Sequence, residues 1–118
     1  MDFEEYKKEC QRTSGFFDNY AESLCCYSMG LAGEAGEVVD YVKKLVFHGH
    51  KFSKEKLIEE LGDVLWYFAM FTSICDLQID EIMRKNIEKL YKRYPNGFSK
   101  SDSIKRVDEK EKNNGNKN

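Results

Sequence analysis

Leu31-Ala32-Gly33-Glu34-Ala35-Gly36-Glu37-Val38 and, further along, Glu59-Glu60-Leu61-Gly62-Asp63-Val64-Leu65-Trp66-Tyr67 decide what this chain folds into. Each stretch carries two acids three residues apart, Glu34 with Glu37 and Glu60 with Asp63. On a helix that spacing puts both carboxylates on one side, a turn apart and aimed into the same small volume. Like charges held so close repel. A chain that builds such a pair twice, beside apolar residues that need burial, has a cation to place between them. Oxygen-only ligands suit a hard ion such as Mg²⁺ or Mn²⁺.

Outward from the first pair, apolar residues recur from about Tyr20 to Phe47 at Leu24, Tyr27, Leu31, Ala35, Val38, Val42 and Leu45, a continuous stripe at helical period. At about 100° of rotation per residue, Glu34 lies on the edge of the stripe, Glu37 just beyond it, and Asp40 on the far side as a solvated acid. Gly30, Gly33 and Gly36 each cost about 1 kcal/mol relative to Ala inside a helix. Close approach of another backbone or of a ligand beside the acids is the favoured explanation, and a bent or interrupted helix is the alternative. His48-Gly49-His50 ends the stripe in the manner of a helix C-terminus. With no third nitrogen or sulfur ligand nearby, these histidines read as loop residues rather than metal ligands, substrate contact being a weaker possibility.

Outward from the second pair, Ser53 caps a helix running to about Cys75, although Lys56 at the third position spoils a full capping box. Leu57, Leu61, Val64, Leu65, Phe68, Phe71 and Cys75 form its seam, with Glu60, Asp63 and Tyr67 on the flank and Glu59 exposed. After Asp63 the pattern is apolar almost all round, as in a helix enclosed on every side. Before these two helices, Phe3, Tyr6 and Cys10 mark a short amphipathic helix with Asp2 as its N-cap and Arg12 as a surface residue, broken at Thr13-Ser14-Gly15. After them, Asp80 is placed to cap a last helix that packs through Ile79, Ile82, Met83, Ile87, Leu90 and Tyr94. Its other face carries Lys85, Lys89, Lys92 and Arg93, and Pro95-Asn96-Gly97 stops it.

The 118 residues suffice for one compact domain. It is assigned to residues 1–98, with 99–118 as a disordered polar tail. No run approaches the roughly 18 apolar residues of a membrane span, and the acidic start is unlike a signal peptide, so a cytoplasmic location is expected. A net charge of −2 gives no case for nucleic-acid binding. Cys10, Cys25, Cys26 and Cys75 show no C-x-x-C spacing and read as buried, reduced thiols.

One E-x-x-E is weak, because glutamate is a good helix former. Two such pairs bordering apolar stripes and followed by a basic helix are stronger, and together they describe metal-assisted attack on a phosphate ester or anhydride. A di-iron bundle would need Glu-x-x-His on partner helices, which this chain lacks.

These two motifs, with Lys89-Leu90-Tyr91-Lys92-Arg93-Tyr94-Pro95 after them, resemble the signatures of the MazG-like, all-α nucleoside triphosphate pyrophosphohydrolases over roughly residues 20–98. The short form is similar to stand-alone MazG-like proteins of bacteria and their phages. The resemblance implies an all-α fold of four-helix-bundle type, with the bundle completed by pairing of subunits into a homodimer or a dimer of dimers. It implies cleavage of a (d)NTP to a (d)NMP and pyrophosphate, in a nucleotide-pool or house-cleaning role. Glu34, Glu37, Glu60 and Asp63 would ligate Mg²⁺, with Mn²⁺ as a possible substitute, and a carboxylate not saturated by metal would take the proton of the attacking water. Lys89 and Arg93 would neutralise phosphate oxygens, with Asn86 a further contact to phosphate or sugar. Phosphoribosyl-ATP pyrophosphohydrolysis and a non-catalytic module that binds a nucleotide or partner are the alternatives. Trp66, Tyr67, Tyr27 and Phe16-Phe17 are candidates to stack on a base, though aromatic residues at helical spacing are more often core.

Overall fold

The computed structural model describes residues 1–115, less the side chain of Glu111. Every regular element in them is a helix: α1 Phe3–Gln11, α2 Tyr20–Phe47, α3 Lys54–Ile74, α4 Ile79–Arg93, α5 Lys100–Lys105 and α6 Val107–Gly115. None of these helices is long and apolar enough to cross a membrane. The chain divides into two compact units, Met1–Leu77 and the part from Gln78 onward. Within the first, α1 and α2 pack against α3; within the second, α5 and α6 pack against α4.

In the first unit the helix ends follow local chemistry. Asp2 and Glu5 form a full capping box at α1. The Asn19 side chain accepts the Glu22 amide, and the Ser53 hydroxyl accepts the Lys56 amide. Asp2 and Ser53 are residues that the sequence marks for these roles. At the far end of α2 the amides of His48 and His50 both bond to the Lys44 carbonyl, and Gly49 takes a positive φ of 70° that L side chains rarely adopt. The buried Tyr41 hydroxyl then accepts the Ser53 amide at 2.8 Å and donates to the Ser53 carbonyl at 3.1 Å. The α2–α3 loop is thereby fastened to α2.

The core gathers where α1 crosses the C-terminal half of α3: Cys10, Tyr27, Ala69 and Met70 are buried, with Phe3, Tyr6, Phe17, Trp66 and Ile74 packed around them. Lys7 of α1 is also buried and donates to the carbonyl of Leu77, just past the end of α3. The other half of the helix pair is thinly covered. Leu61 and Leu65 on α3, expected to be enclosed, are 50% and 43% exposed, and Ala35 and Val42 of the α2 stripe are exposed too. Within the chain, α1 reaches only one end of the pair, and nothing else in this unit covers the rest. Cys25 and Cys26 are likewise exposed rather than buried, and all four cysteines are free.

In the second unit, Gln78 stands at the N-cap of α4 and makes no side-chain cap bond. Asp80 turns instead to Arg84, one turn on, at 2.8 Å. The polar stretch after residue 98, expected to lack structure, is helical over 100–105 and 107–115, while 116–118 lie outside the described residues. Two anchors account for this. Ser99 caps α5 through the Asp102 amide, and Asp108 in the first turn of α6 accepts two hydrogen bonds from Arg93 of α4.

Candidate functional site

The first unit brings Glu34 of α2 together with Glu60 and Asp63 of α3, so that one carboxylate oxygen from each lies within 4.8 Å of the others. The facing helices achieve this because both acid pairs sit on the flank, not the centre, of an apolar seam. Burial, then the charges of Asp63, Glu37 and Glu60, push the Glu34 carboxyl above its ordinary value. That repulsion, with an all-oxygen donor set on two helices, is what a hard divalent cation would relieve, and the residues present fit one.

Glu37, the fourth acid of the sequence pattern, is exposed and stands outside this group of three. It is one turn further along α2 and lines an adjoining cavity of about 400 Å³ together with Glu60. Glu60 is the hinge between the two, its side chain only 12% exposed and bridged by Lys56 at 2.7 Å. Asp40 opens on the same cavity but is tied to Lys43 and Lys44, both at 2.8 Å, and these lysines hold its carboxyl down at about 2. Glu59 is exposed, as its position on the helix implies.

On the other side of the three acids, Glu34 and Asp63 share a cavity of about 340 Å³ with Thr13, Trp66 and Tyr67. The Trp66 indole donates to the Thr13 hydroxyl at 2.9 Å, and the Trp66 and Tyr67 rings meet edge to face at 4.9 Å. Gly30 finds its reason here: a Cβ at this position would overlap the Tyr67 ring. Gly33 and Gly36 face open space within the chain, and α2 runs through all three uninterrupted. Of the other aromatic candidates, Tyr27 is core and Phe16 is fully exposed.

Asn86 and Lys89 belong to the second unit, where they line a groove of about 560 Å³ with Lys85, Lys92 and Lys112. Arg93 is engaged differently. Its guanidinium makes a two-point pair with the Asp108 carboxylate at 2.9 and 3.0 Å, which raises its own pKa and holds Asp108 down at about 2. Further residues beside the acids were not singled out from the sequence. Lys44 and Lys56 had a signal, seven after Glu37 and four before Glu60 on their helices, but Lys51 and Thr13 come to the acids through a loop and a chain crossing that periodicity does not encode.

Among the described residues, then, an all-helical fold brings carboxylates together from two facing helices. The model of the MazG nucleotide pyrophosphohydrolase domain matches residues 23–98, and the chain belongs to that family. It is similar to the Gene 37 protein of Mycobacterium phage L5, 35% identical over 80 residues that cover 64% of this chain and 70% of that protein. No solved structure matches.

Proposed function

We propose that this protein is a divalent-cation-dependent nucleoside triphosphate pyrophosphohydrolase that converts a (d)NTP to a (d)NMP and pyrophosphate. The observation that carries this reading is the cluster of Glu34, Glu60 and Asp63 on facing helices, within a family of nucleotide pyrophosphohydrolases. These three carboxylates would hold the ion, Mg²⁺ first and Mn²⁺ as a substitute. When bound, it supplies charge neutralisation at the phosphate oxygens and acidifies water.

The chain's own residues supply the rest. Glu37, beside the cluster yet outside it, is the carboxylate free to accept the proton of the attacking water. Trp66 and Tyr67 wall the cavity on the opposite side, where an aromatic surface suits a nucleoside. Lys89 and Asn86 are assigned to phosphate and sugar. Arg93 joins them only when its pair with Asp108 opens. Exposed apolar side chains on α2 and α3, among them Val39, Val42, Ile58, Leu61 and Leu65, support assembly as a homodimer or dimer of dimers. A cytoplasmic, nucleotide-pool role fits such a substrate.

Product analysis across a panel of dNTPs, NTPs and phosphoribosyl-ATP, with and without Mg²⁺, tests the proposal. Pyrophosphate release that requires the ion and falls by about 10²–10⁴-fold in Glu37→Gln is the expected result. Release of single phosphates, or nucleotide binding with no turnover, overturns it; turnover of phosphoribosyl-ATP alone assigns the alternative substrate.

A further inference from the structure

The cavity between the C-terminal half of α2 and the start of α3 is walled by two kinds of charge. Glu37 and Glu60 form the side next to the acid cluster, and Lys44, Lys51, Lys56 and His50 converge on it from α2, the loop and α3. Three features separate this from an ordinary solvated lysine face. The loop that carries His50 and Lys51 is fastened at both ends, by the two amides on the Lys44 carbonyl and by the paired bonds between Tyr41 and Ser53. Lys51 makes no ion pair among the described residues. Asp40 is answered twice, by Lys43 and by Lys44, so Lys44 can turn away without leaving that carboxylate bare.

We infer that this cavity is a phosphate-chain subsite, in which Lys44, Lys51 and Lys56, with His50, receive the oxyanions of a nucleoside triphosphate. The inference rests on the proposed function for its substrate, and on geometry within the first unit alone for its location. A cation held on Glu34, Glu60 and Asp63 offsets the charge of Glu60, and Lys56 then faces the cavity as a donor rather than as the partner of an isolated carboxylate. Lysines suit the task as flexible point charges, each offering three donors to a phosphate oxygen. About 400 Å³ is room for a chain of two or three phosphates beside the carboxylates. Arg93, the strongest phosphate-binding type in the basic segment, is meanwhile paired with Asp108.

Calorimetric titration of the full chain in saturating Mg²⁺ tests the inference, with inorganic tripolyphosphate as one probe and an α,β-methylene nucleoside triphosphate as the other. Lys51→Ala and Lys44→Ala should each weaken both probes by about tenfold, the loss expected for one charge-assisted hydrogen bond. Lys51→Arg should restore binding. Lys54→Ala, the same charge change on a residue that does not line the cavity, should leave both probes unaffected. Circular dichroism establishes that each variant is folded. Equal effects of Lys51→Ala and Lys54→Ala overturn the inference, as does weakening of tripolyphosphate alone, which would assign the cavity to free polyphosphate. Mn²⁺ binding by wild type and Glu60→Gln, read separately by electron paramagnetic resonance, tests the underlying cation site. If Glu60→Gln binds Mn²⁺ as well as wild type, the cation reading falls while the lysine arm still decides the subsite. If Mn²⁺ binding is lost but the lysine variants bind both probes normally, the subsite alone falls.

Discussion

Asp108 and Arg93 hold each other through two parallel hydrogen bonds, and both side chains are largely withdrawn from solvent. The Asp108 carboxyl lies at about 2 in the folded chain against an ordinary 3.8, so the folded state binds fewer protons than the unfolded one across that interval. Its stabilising contribution is complete above the ordinary value and is lost as pH falls through about 2. We expect helical signal from the end of the chain to disappear in that acid window, followed by NMR of α6 amides, and Asp108→Asn to remove it already at neutral pH. Gly30 supports a second expectation. Gly30→Ala gains about 1 kcal/mol of helix propensity but drives a methyl group into the Tyr67 ring, where overpacking costs about 1–3 kcal/mol. Denaturant unfolding should register a net loss, and the displaced ring should perturb the cavity it shares with Glu34 and Asp63. At this scale the acids were legible because their chemistry sits on one face at a three-residue spacing. Glu37 was legible as an acid of the motif but not as the one standing apart, since helix spacing places its Cβ and not its carboxylate. The partner of Arg93 was illegible, because Asp108 reaches it only after Arg106 turns the chain through a left-handed conformation with φ 50°.

α2 and α3 end where local signals place them, at Asn19, at His48-Gly49 and at Ser53, because caps and a positive-φ glycine act within a turn of the chain. The start of α4 escaped the same reasoning: Asp80 had a competing use one turn away, in Arg84, and that contact prevailed over capping. The apolar seams were legible as helices and misleading as burial. A stripe records what a helix face requires, and not whether its own chain supplies the cover. The fastening of the α2–α3 loop yields the expectation at this scale. Tyr41→Phe strips the Ser53 amide and carbonyl of their partner and should cost about 1–3 kcal/mol, measured as a lowered denaturation midpoint. It should also weaken tripolyphosphate binding while leaving Mn²⁺ binding intact, because the loop and not the acid cluster is loosened.

At the scale of the whole molecule, the first unit hides one end of its helix pair and leaves the acid-bearing end bordered by exposed apolar side chains. Pairing with a second copy is the proposed remedy. Leu65→Asp, a charge placed on the half-exposed seam, should weaken self-association by more than about tenfold in sedimentation velocity without unfolding the monomer. A wild-type chain that stays monomeric at high concentration would rule that pairing out.

The packing of α1 bears on how this protein can be handled at the bench. The family match begins at residue 23, but Cys10 is part of the buried cluster and Lys7 holds the Leu77 carbonyl just past the end of α3. A fragment trimmed to residues 23–98 would keep every carboxylate of the motif while stripping cover from Ala69 and Met70, which share the buried cluster with Cys10. Such a truncated product is expected to precipitate on expression, and any tag or cleavage site is better placed ahead of Met1 with a spacer than in exchange for the first helix.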